Sequence, residues 1–165
     1  GMRIAIRTGS GHVVVVDDAA ADSGPRPAEL LMVAQAGCTA MDVVSILVKK
    51  RQAFDTYEIS VEGTQRDDPH PHVFERIDIV HELTGDDLDA AALSRAIELS
   101  ATRYCTAAAM FSAGPTELHH RYVIHRRDGR PDAAGEVVVT GPREDIGAVQ
   151  EQRVAAIGAL AGSPR

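Results

Sequence analysis

The segment from Ala28 to about Arg51 is the feature that most restricts how this chain can fold, because its apolar residues repeat at helical spacing. The repeat consists of Leu30, Val33, Ala34, Gly37, Met41, Val44 and Leu47/Val48. One narrow polar stripe interrupts it, made of Gln35, Thr39, Asp42, Ser45 and Lys49. A helix that is apolar on nearly all other sides belongs in the interior of a protein. We therefore predict a long central helix that ends at Lys49-Lys50-Arg51.

Alternating patterns elsewhere predict strands. They cover residues 2–7, 12–17, 57–62, 73–83, 117–127 and 136–140. Two further helices are expected, one from an N-cap at Asp86 or Asp87 to about Ala101, and one from Cys105 to the Gly114-Pro115 stop. This order predicts an α+β domain over residues 1–141, with an antiparallel sheet around the central helix. Residues 142–165 are predicted to be a C-terminal extension, either a short helix or a flexible tail.

The central helix needs covering on several sides, and one small sheet covers a single side. A second copy of the chain can supply the rest, which predicts an obligate homodimer with the central helices packed together. The alternative is that strand 73–83 and the later helices are sufficient.

Charge and hydropathy exclude several classes of function. A formal net charge of −7 argues against a nucleic-acid partner, which requires clustered Lys and Arg. The apolar run from Leu30 to Val48 approaches the length of a membrane span, but the polar stripe interrupts it. No basic start followed by an apolar run is visible at the N-terminus. We expect a soluble, cytoplasmic protein without a membrane partner.

The chain contains two cysteines, Cys38 and Cys105, each in an apolar, helix-like segment. Helical spacing places Cys38 beside the polar stripe, where a thiol could meet a polar reagent, although a buried cysteine is also an ordinary small apolar residue. Cys105 lies at a predicted helix start close to Arg103, and both features favour a thiolate. The separation of the two cysteines excludes a local CxxC pair or a zinc knuckle.

The histidines are weaker candidates for a site. His70 and His72 fall in a proline-rich turn, whereas His119 and His120 point to opposite faces of a strand and cannot share a ligand. His81 lies on an apolar strand face and is interpreted as a core histidine. We expect no metal site and no bound cofactor.

Three segments together resemble the OsmC/Ohr family, especially its YhfA-like branch: PRPAELLMVAQAGCTAMDVVSILVKKRQ, VFERIDIVHELTGDDLD and AIELSATRYCTAAAMF. This resemblance covers about Gly24 to Phe111. It implies an intertwined homodimer with two active sites at its interface, and a peroxiredoxin-like reduction of organic hydroperoxides in oxidative-stress defence. In that chemistry Cys38 is the reactive thiol, Cys105 is the resolving thiol, and an external dithiol such as a lipoyl group resets the pair.

The resemblance implies activating residues for Cys38, and helical spacing and apolar character predict a pocket around it. Peroxidase members carry a Glu at the position of Ala28 here, paired with an N-terminal Arg. In this chain the acid is one residue later, at Glu29, about 100° around the helix, and Arg7 or Arg3 could replace the arginine. The predicted pocket contains Gln35, Met41, Asp42 and Met110, with Asp42 expected to accept a hydrogen bond or pair with an arginine. Two alternatives remain open: a non-peroxidase member that binds an apolar ligand at the dimer interface, and a redox sensor that forms the Cys38–Cys105 bond without turnover.

Overall fold

A computed structural model describes residues 1–141 of the chain. The elements in order are β1 (Ile4–Arg7), β2 (Val13–Val16), α1 (Pro27–Lys49), β3 (Thr56–Gln65), β4 (Phe74–Thr84), α2 (Ala90–Leu99), a π-helical turn (Ser100–Tyr104), α3 (Thr106–Ser112), β5 (Glu117–His125) and β6 (Ala133–Thr140). The predicted α+β class and all the predicted elements of this region are confirmed. The predicted C-terminal extension, 142–165, lies outside the described residues.

The strands form two sheets. β1 and β2 make a separate antiparallel hairpin, and the other four strands make one sheet in the order β3-β4-β5-β6. The expectation of a wholly antiparallel sheet is wrong at one place, since the central pair, β4 and β5, is parallel. Parallel neighbours require a long crossover connection, and α2, the π-helical turn and α3 provide it.

The helices cover one face of the larger sheet. At one end Val43 and Leu47 of α1 pack with Leu83 and Ile124 of the sheet and with residues of α2. At the other end a second buried cluster contains Phe74, Ile77, Ile79, Leu118 and Cys105. Alternation along β4 directs Ile77, Ile79, His81 and Leu83 into this interior, as the sequence pattern predicts.

The buried face of α1 contains both polar and apolar residues, which its hydropathy pattern does not suggest. Gln35 and Thr39 of the polar stripe are fully buried, together with Ala36, Val43 and Leu47. Much of the apolar stripe lies on the outside of the described chain, with Val33 55%, Met41 78% and Val48 63% exposed, although Leu47 is buried. Within the described residues the sheet and α2–α3 cover only one side of α1, so the alternative that strand 73–83 and the later helices are sufficient is wrong.

The start of α2 differs from its predicted position. The N-cap of α2 is Asp89, whose carboxylate accepts from the Ala91 N–H, so the predicted cap at Asp86 or Asp87 is wrong. Asp86 instead accepts the backbone N–H of Arg127, which ties the start of the crossover to the end of β5.

The helix α1 has the length and hydropathy of a membrane span, but the side of it that contains Gln35 and Thr39 packs against the rest of the domain.

A row of polar side chains crosses the buried side of the sheet between the two apolar clusters. The Tyr57 hydroxyl lies 2.5 Å from Nδ1 of His81, and Nε2 of His81 lies 3.3 Å from Nδ1 of His120. Burial lowers the pKa of His81 to about 3 and that of His120 to about 4, so both are neutral in the fold. The interpretation of His81 as a core histidine is confirmed by its burial.

These two histidines should make the protein sensitive to acid. The unfolded chain protonates near the ordinary pKa of 6.5, whereas the folded chain stays neutral to about 4. The free energy of unfolding should therefore fall as pH drops below 6.5, by about 1.4 kcal/mol per pH unit for each histidine. Urea unfolding at one fixed protein concentration, between pH 7.5 and about pH 5, measures the slope.

The matched variants are His120→Leu in the core and His12→Gln on the exposed hairpin. The core variant should flatten the pH dependence of stability, and the surface variant should leave it unchanged. Equal slopes in the two variants would contradict the assignment of acid sensitivity to the buried pair.

Candidate functional site

The fold brings the two cysteines together. Cys38 lies in the middle of α1, and Cys105 lies at the junction of the π-helical turn and α3. Both thiols are free, and their Sγ atoms and a carboxylate oxygen of Asp42 all lie within 4.8 Å of one another. Cys38 is half-buried and Cys105 is buried, so Cys38 is the more accessible thiol.

Local backbone geometry positions Cys105. In the π-helical turn the Cys105 N–H bonds to the Ser100 carbonyl at 2.9 Å, and Cys105 then adopts an extended conformation that ends the turn. Its Sγ accepts the Ala108 N–H at 3.3 Å, so the thiol serves as the N-cap of α3. Single π-helical turns within helices are frequent at functional sites, because they redirect the side chains on either side.

The polar stripe of α1 continues into this site. The Gln35 amide donates to the Thr39 hydroxyl at 3.1 Å, and that hydroxyl donates to Cys105 Sγ at 3.5 Å. One turn further on, Oδ2 of Asp42 accepts the Ser100 hydroxyl at 2.9 Å. Residues 100–105 thus supply hydrogen-bond partners for Thr39 and Asp42, whereas Gln35 bonds to Thr39 within α1.

The electrostatic environment separates the two thiols. Burial raises the pKa of Cys105, and the adjacent Cys38 raises it further. The hydrogen bonds from Ala108 and Thr39 lower the same pKa but do not outweigh burial. Burial therefore outweighs the helix start that favours a thiolate, and Cys105 keeps its proton at neutral pH.

Two cavities of about 330 Å³ adjoin the region. One has Cys105, Arg103 and Ser112 in its wall. The other is mainly apolar and is lined by residues that include Ala28, Leu31, Phe74, Met110 and Phe111. Phe111, Met32 and Cys38 pack against the same apolar cluster, so the surroundings of the thiols suit a hydrophobic molecule.

The other residues predicted for the site are distributed as follows. Gln35 and Asp42 lie beside the cysteines, whereas Met41 and Met110 are exposed at the surface. Glu29 pairs with the Arg26 guanidinium and accepts the Arg26 backbone N–H at the start of α1. Arg7 donates to the Gly11 carbonyl within the hairpin. The roles of Glu29 and Arg7 toward Cys38 remain predictions.

Two residues of the site, Thr39 and Ser100, are not among those predicted from the sequence. Thr39 belongs to the polar stripe, and its position beside Cys38 was the available signal. Ser100 lies in a stretch whose sequence resembles an ordinary helix end, so no local pattern marks its contact with Asp42.

The Thr39 hydroxyl should hold the pKa of Cys105 below the value that burial alone would impose. In a Cys38→Ser background, Thr39→Val should move the rate profile of Cys105 alkylation to higher pH, whereas Thr39→Ser should leave it in place. Thr39→Val should also reduce the free energy of unfolding by about 1–3 kcal/mol, since the buried Gln35 amide loses its acceptor. Identical alkylation profiles for the two variants would contradict the hydrogen bond to sulfur.

Comparison with known proteins agrees with this geometry. The family model described as "OsmC-like protein" matches residues 20–120. The protein YhfA of Escherichia coli strain K12 is 36% identical over 124 residues, which cover 75% of this chain and 92% of YhfA.

Solved structures show the same fold. A hypothetical protein from Aquifex aeolicus has a TM-score of 0.66 and 28% identity, over 76% of this chain and 89% of its own. An organic hydroperoxide resistance protein OsmC from Legionella pneumophila has a TM-score of 0.52 and 13% identity, over 75% of this chain and 96% of its own. OsmC-like proteins are soluble, in agreement with the expectation from sequence. The two cysteines therefore lie within an OsmC fold, and the chain belongs to the OsmC-like protein family.

Proposed function

We propose that this protein is a thiol-dependent peroxidase that reduces organic hydroperoxides through Cys38 and Cys105. The observation that carries the proposal is the approach of their Sγ atoms to within 4.8 Å from separate segments of the chain. A modest movement of either side chain brings two sulfurs at this distance into bonding range. The organic hydroperoxide resistance protein among the structural neighbours shares the fold alone.

The chemistry assigns different tasks to the two thiols. The accessible Cys38, as a thiolate, attacks the terminal oxygen of the hydroperoxide; the O–O bond breaks, and the leaving alkoxide takes a proton to become an alcohol. Cys38 is then a sulfenic acid. The Cys105 sulfur attacks the Cys38 sulfur, its thiol proton departs with the hydroxyl as water, and a disulfide forms. An external dithiol, such as a lipoyl group, reduces the disulfide to complete the cycle.

The protonated state of Cys105 supports this order of events. A thiol that keeps its proton near neutral pH is a poor first nucleophile, so the hydroperoxide meets Cys38. The apolar cluster that contacts Cys38 favours an organic hydroperoxide over hydrogen peroxide, because an alkyl group gains from burial there.

OsmC/Ohr family members are typically dimeric, and we propose that a second copy of this chain covers the exposed stripe of α1. The stripe includes Val33, Met41 and Val48, which are all more than half exposed, and a contiguous apolar patch of this kind is typical of a protein–protein interface. Gly37 lies in the same stripe, and a Cβ added to it would meet no other atom within 4 Å. That space permits a second helix to approach α1 closely beside Cys38.

The position of Glu29 on α1 limits how it could activate Cys38. Glu29 and Cys38 lie nine positions apart on one helix, which separates them by about 13 Å along its axis. Glu29 therefore cannot contact Cys38 of its own chain. In the proposed dimer, an activating carboxylate or guanidinium comes from the partner subunit.

Binding of an apolar ligand without turnover is the second candidate function. It is favoured by the apolar cavity near Met110 and Phe111 and by Ala28, which occupies the position of the family glutamate in its wall. A reduced protein that binds a fatty acid but leaves cumene hydroperoxide unchanged would favour this function over the first.

Cumene hydroperoxide with dihydrolipoamide tests the peroxidase. Wild-type protein should turn over many equivalents, and Cys38→Ser should fall to the uncatalysed rate. Cys105→Ser should consume one equivalent rapidly and then accumulate a sulfenic acid that dimedone labels. The exposed Ser45→Ala on the same helix is the matched control and should retain full activity. Turnover in Cys38→Ser equal to wild type would overturn the assignment.

The dimer has its own test. Met41→Glu places a charge in the exposed stripe, and burying that charge in an interface should raise the dimer dissociation constant at least about tenfold. Ala91→Glu places the same charge on the exposed side of α2 and should leave the dimer intact. Analytical ultracentrifugation over a concentration series measures both; a monomeric wild type would rule out the dimer.

A further inference from the structure

We propose that the reduced site is also a binding site for a zinc-like divalent cation, held by Cys38 Sγ, Asp42 carboxylate oxygen and Cys105 Sγ. The three ligand atoms all lie within 4.8 Å of one another. This inference uses the same residues as the proposed peroxidase, but it does not require that any hydroperoxide be turned over. It also departs from the expectation from sequence that the chain has no metal site, which was based on the histidines and on the absence of a local zinc knuckle.

The geometry is close to that of a tetrahedral centre. Zinc–sulfur bonds of about 2.3 Å and zinc–oxygen bonds of about 2.1 Å place neighbouring ligand atoms about 3.6–3.8 Å apart. Ligand atoms within 4.8 Å therefore need to move by about 1 Å or less. Cys38 and Asp42 are four residues apart on α1 and so lie on one face of the helix. Cys105 faces them from the N-cap position of α3.

Neighbouring groups hold two of the three ligands. Ser100 donates to Oδ2 of Asp42, which fixes the carboxylate while its other oxygen remains available. The Ala108 N–H and the Thr39 hydroxyl both donate to Cys105 Sγ, a pattern that stabilises a coordinating thiolate. Outer hydrogen bonds of this kind commonly orient metal ligands and tune their basicity.

The chemistry of the ligands selects the cation. Two thiolates and one carboxylate suit zinc and other borderline or soft cations, whereas magnesium and calcium prefer oxygen ligands alone. Binding displaces the two thiol protons and changes no oxidation state. Three protein ligands leave a fourth position for water, and the half-buried Cys38 provides the route of entry.

A bound cation and a hydroperoxide would compete for Cys38. Coordination occupies the sulfur lone pair that attacks the peroxide, so the metal blocks oxidation while it is bound. Conversely, formation of the Cys38–Cys105 disulfide removes two of the three ligands and releases the cation. The site would thus bind metal only in its reduced state.

Cobalt(II) is the probe, added without oxygen to fully reduced protein. Wild type should give a near-ultraviolet sulfur-to-cobalt charge-transfer band and intense visible bands of tetrahedral cobalt, both abolished by equimolar zinc. Cys38→Ser and Cys105→Ser should lose the charge-transfer band or most of it, and Asp42→Asn should raise the cobalt dissociation constant at least tenfold. Ser45→Ala is the matched control on α1 and should bind like wild type.

A second measurement avoids dependence on the folding of variants. Zinc should raise the melting temperature of reduced wild type but not of protein whose two cysteines have been oxidised by diamide. Equal zinc stabilisation of oxidised and reduced protein, weak octahedral cobalt spectra, or unchanged binding by Asp42→Asn would each overturn the proposal. Because no hydroperoxide is present, tetrahedral cobalt binding by a protein that lacks peroxidase activity would leave this inference standing and remove the proposed function alone.

Discussion

The structure depends on one contact, between the polar side of α1 and the segment from Ser100 to Cys105. Thr39 and Asp42 would be costly to bury without partners, and this segment supplies them through the Cys105 sulfur and the Ser100 hydroxyl, while Gln35 donates to Thr39. That requirement fixes the rotation of α1 about its axis. It also places Cys38 beside Cys105, so the same hydrogen bonds determine both the packing of the helix and the formation of the site.

The same contact determines which residues α1 exposes on its other side. Once the polar stripe faces the sheet and crossover, the apolar stripe that contains Val33, Gly37 and Met41 must face outward from the described chain. A second copy of the chain is the proposed cover, and it would lie directly beside Cys38. The proposed dimer and the proposed chemistry therefore share one origin, the amphipathic pattern of α1.

Burial makes the two thiols unequal, and this inequality is what the site offers chemically. Cys105 loses solvent, which raises its pKa, while Cys38 remains accessible. The accessible Cys38 is suited to form a sulfenic acid, and the neighbouring Cys105 thiol is then suited to convert it to a disulfide. The nearby Asp42 adds a third ligand atom, so the reduced state of the same cluster has the composition of a metal site.

The sequence by itself determined the class of fold, the extents of most elements and the two cysteines, because hydrophobic periodicity and helix-stop residues are local properties. It also placed Cys38 beside the polar stripe of α1. It did not determine which side of α1 faces inward, the parallel pairing of β4 with β5, or the contact of Ser100 with Asp42. Those features depend on where distant segments meet, and only the tertiary structure decided them. The pKa of Cys105 shows the reason most directly: the local helix start predicts a thiolate, but burial by residues far away in the sequence outweighs it.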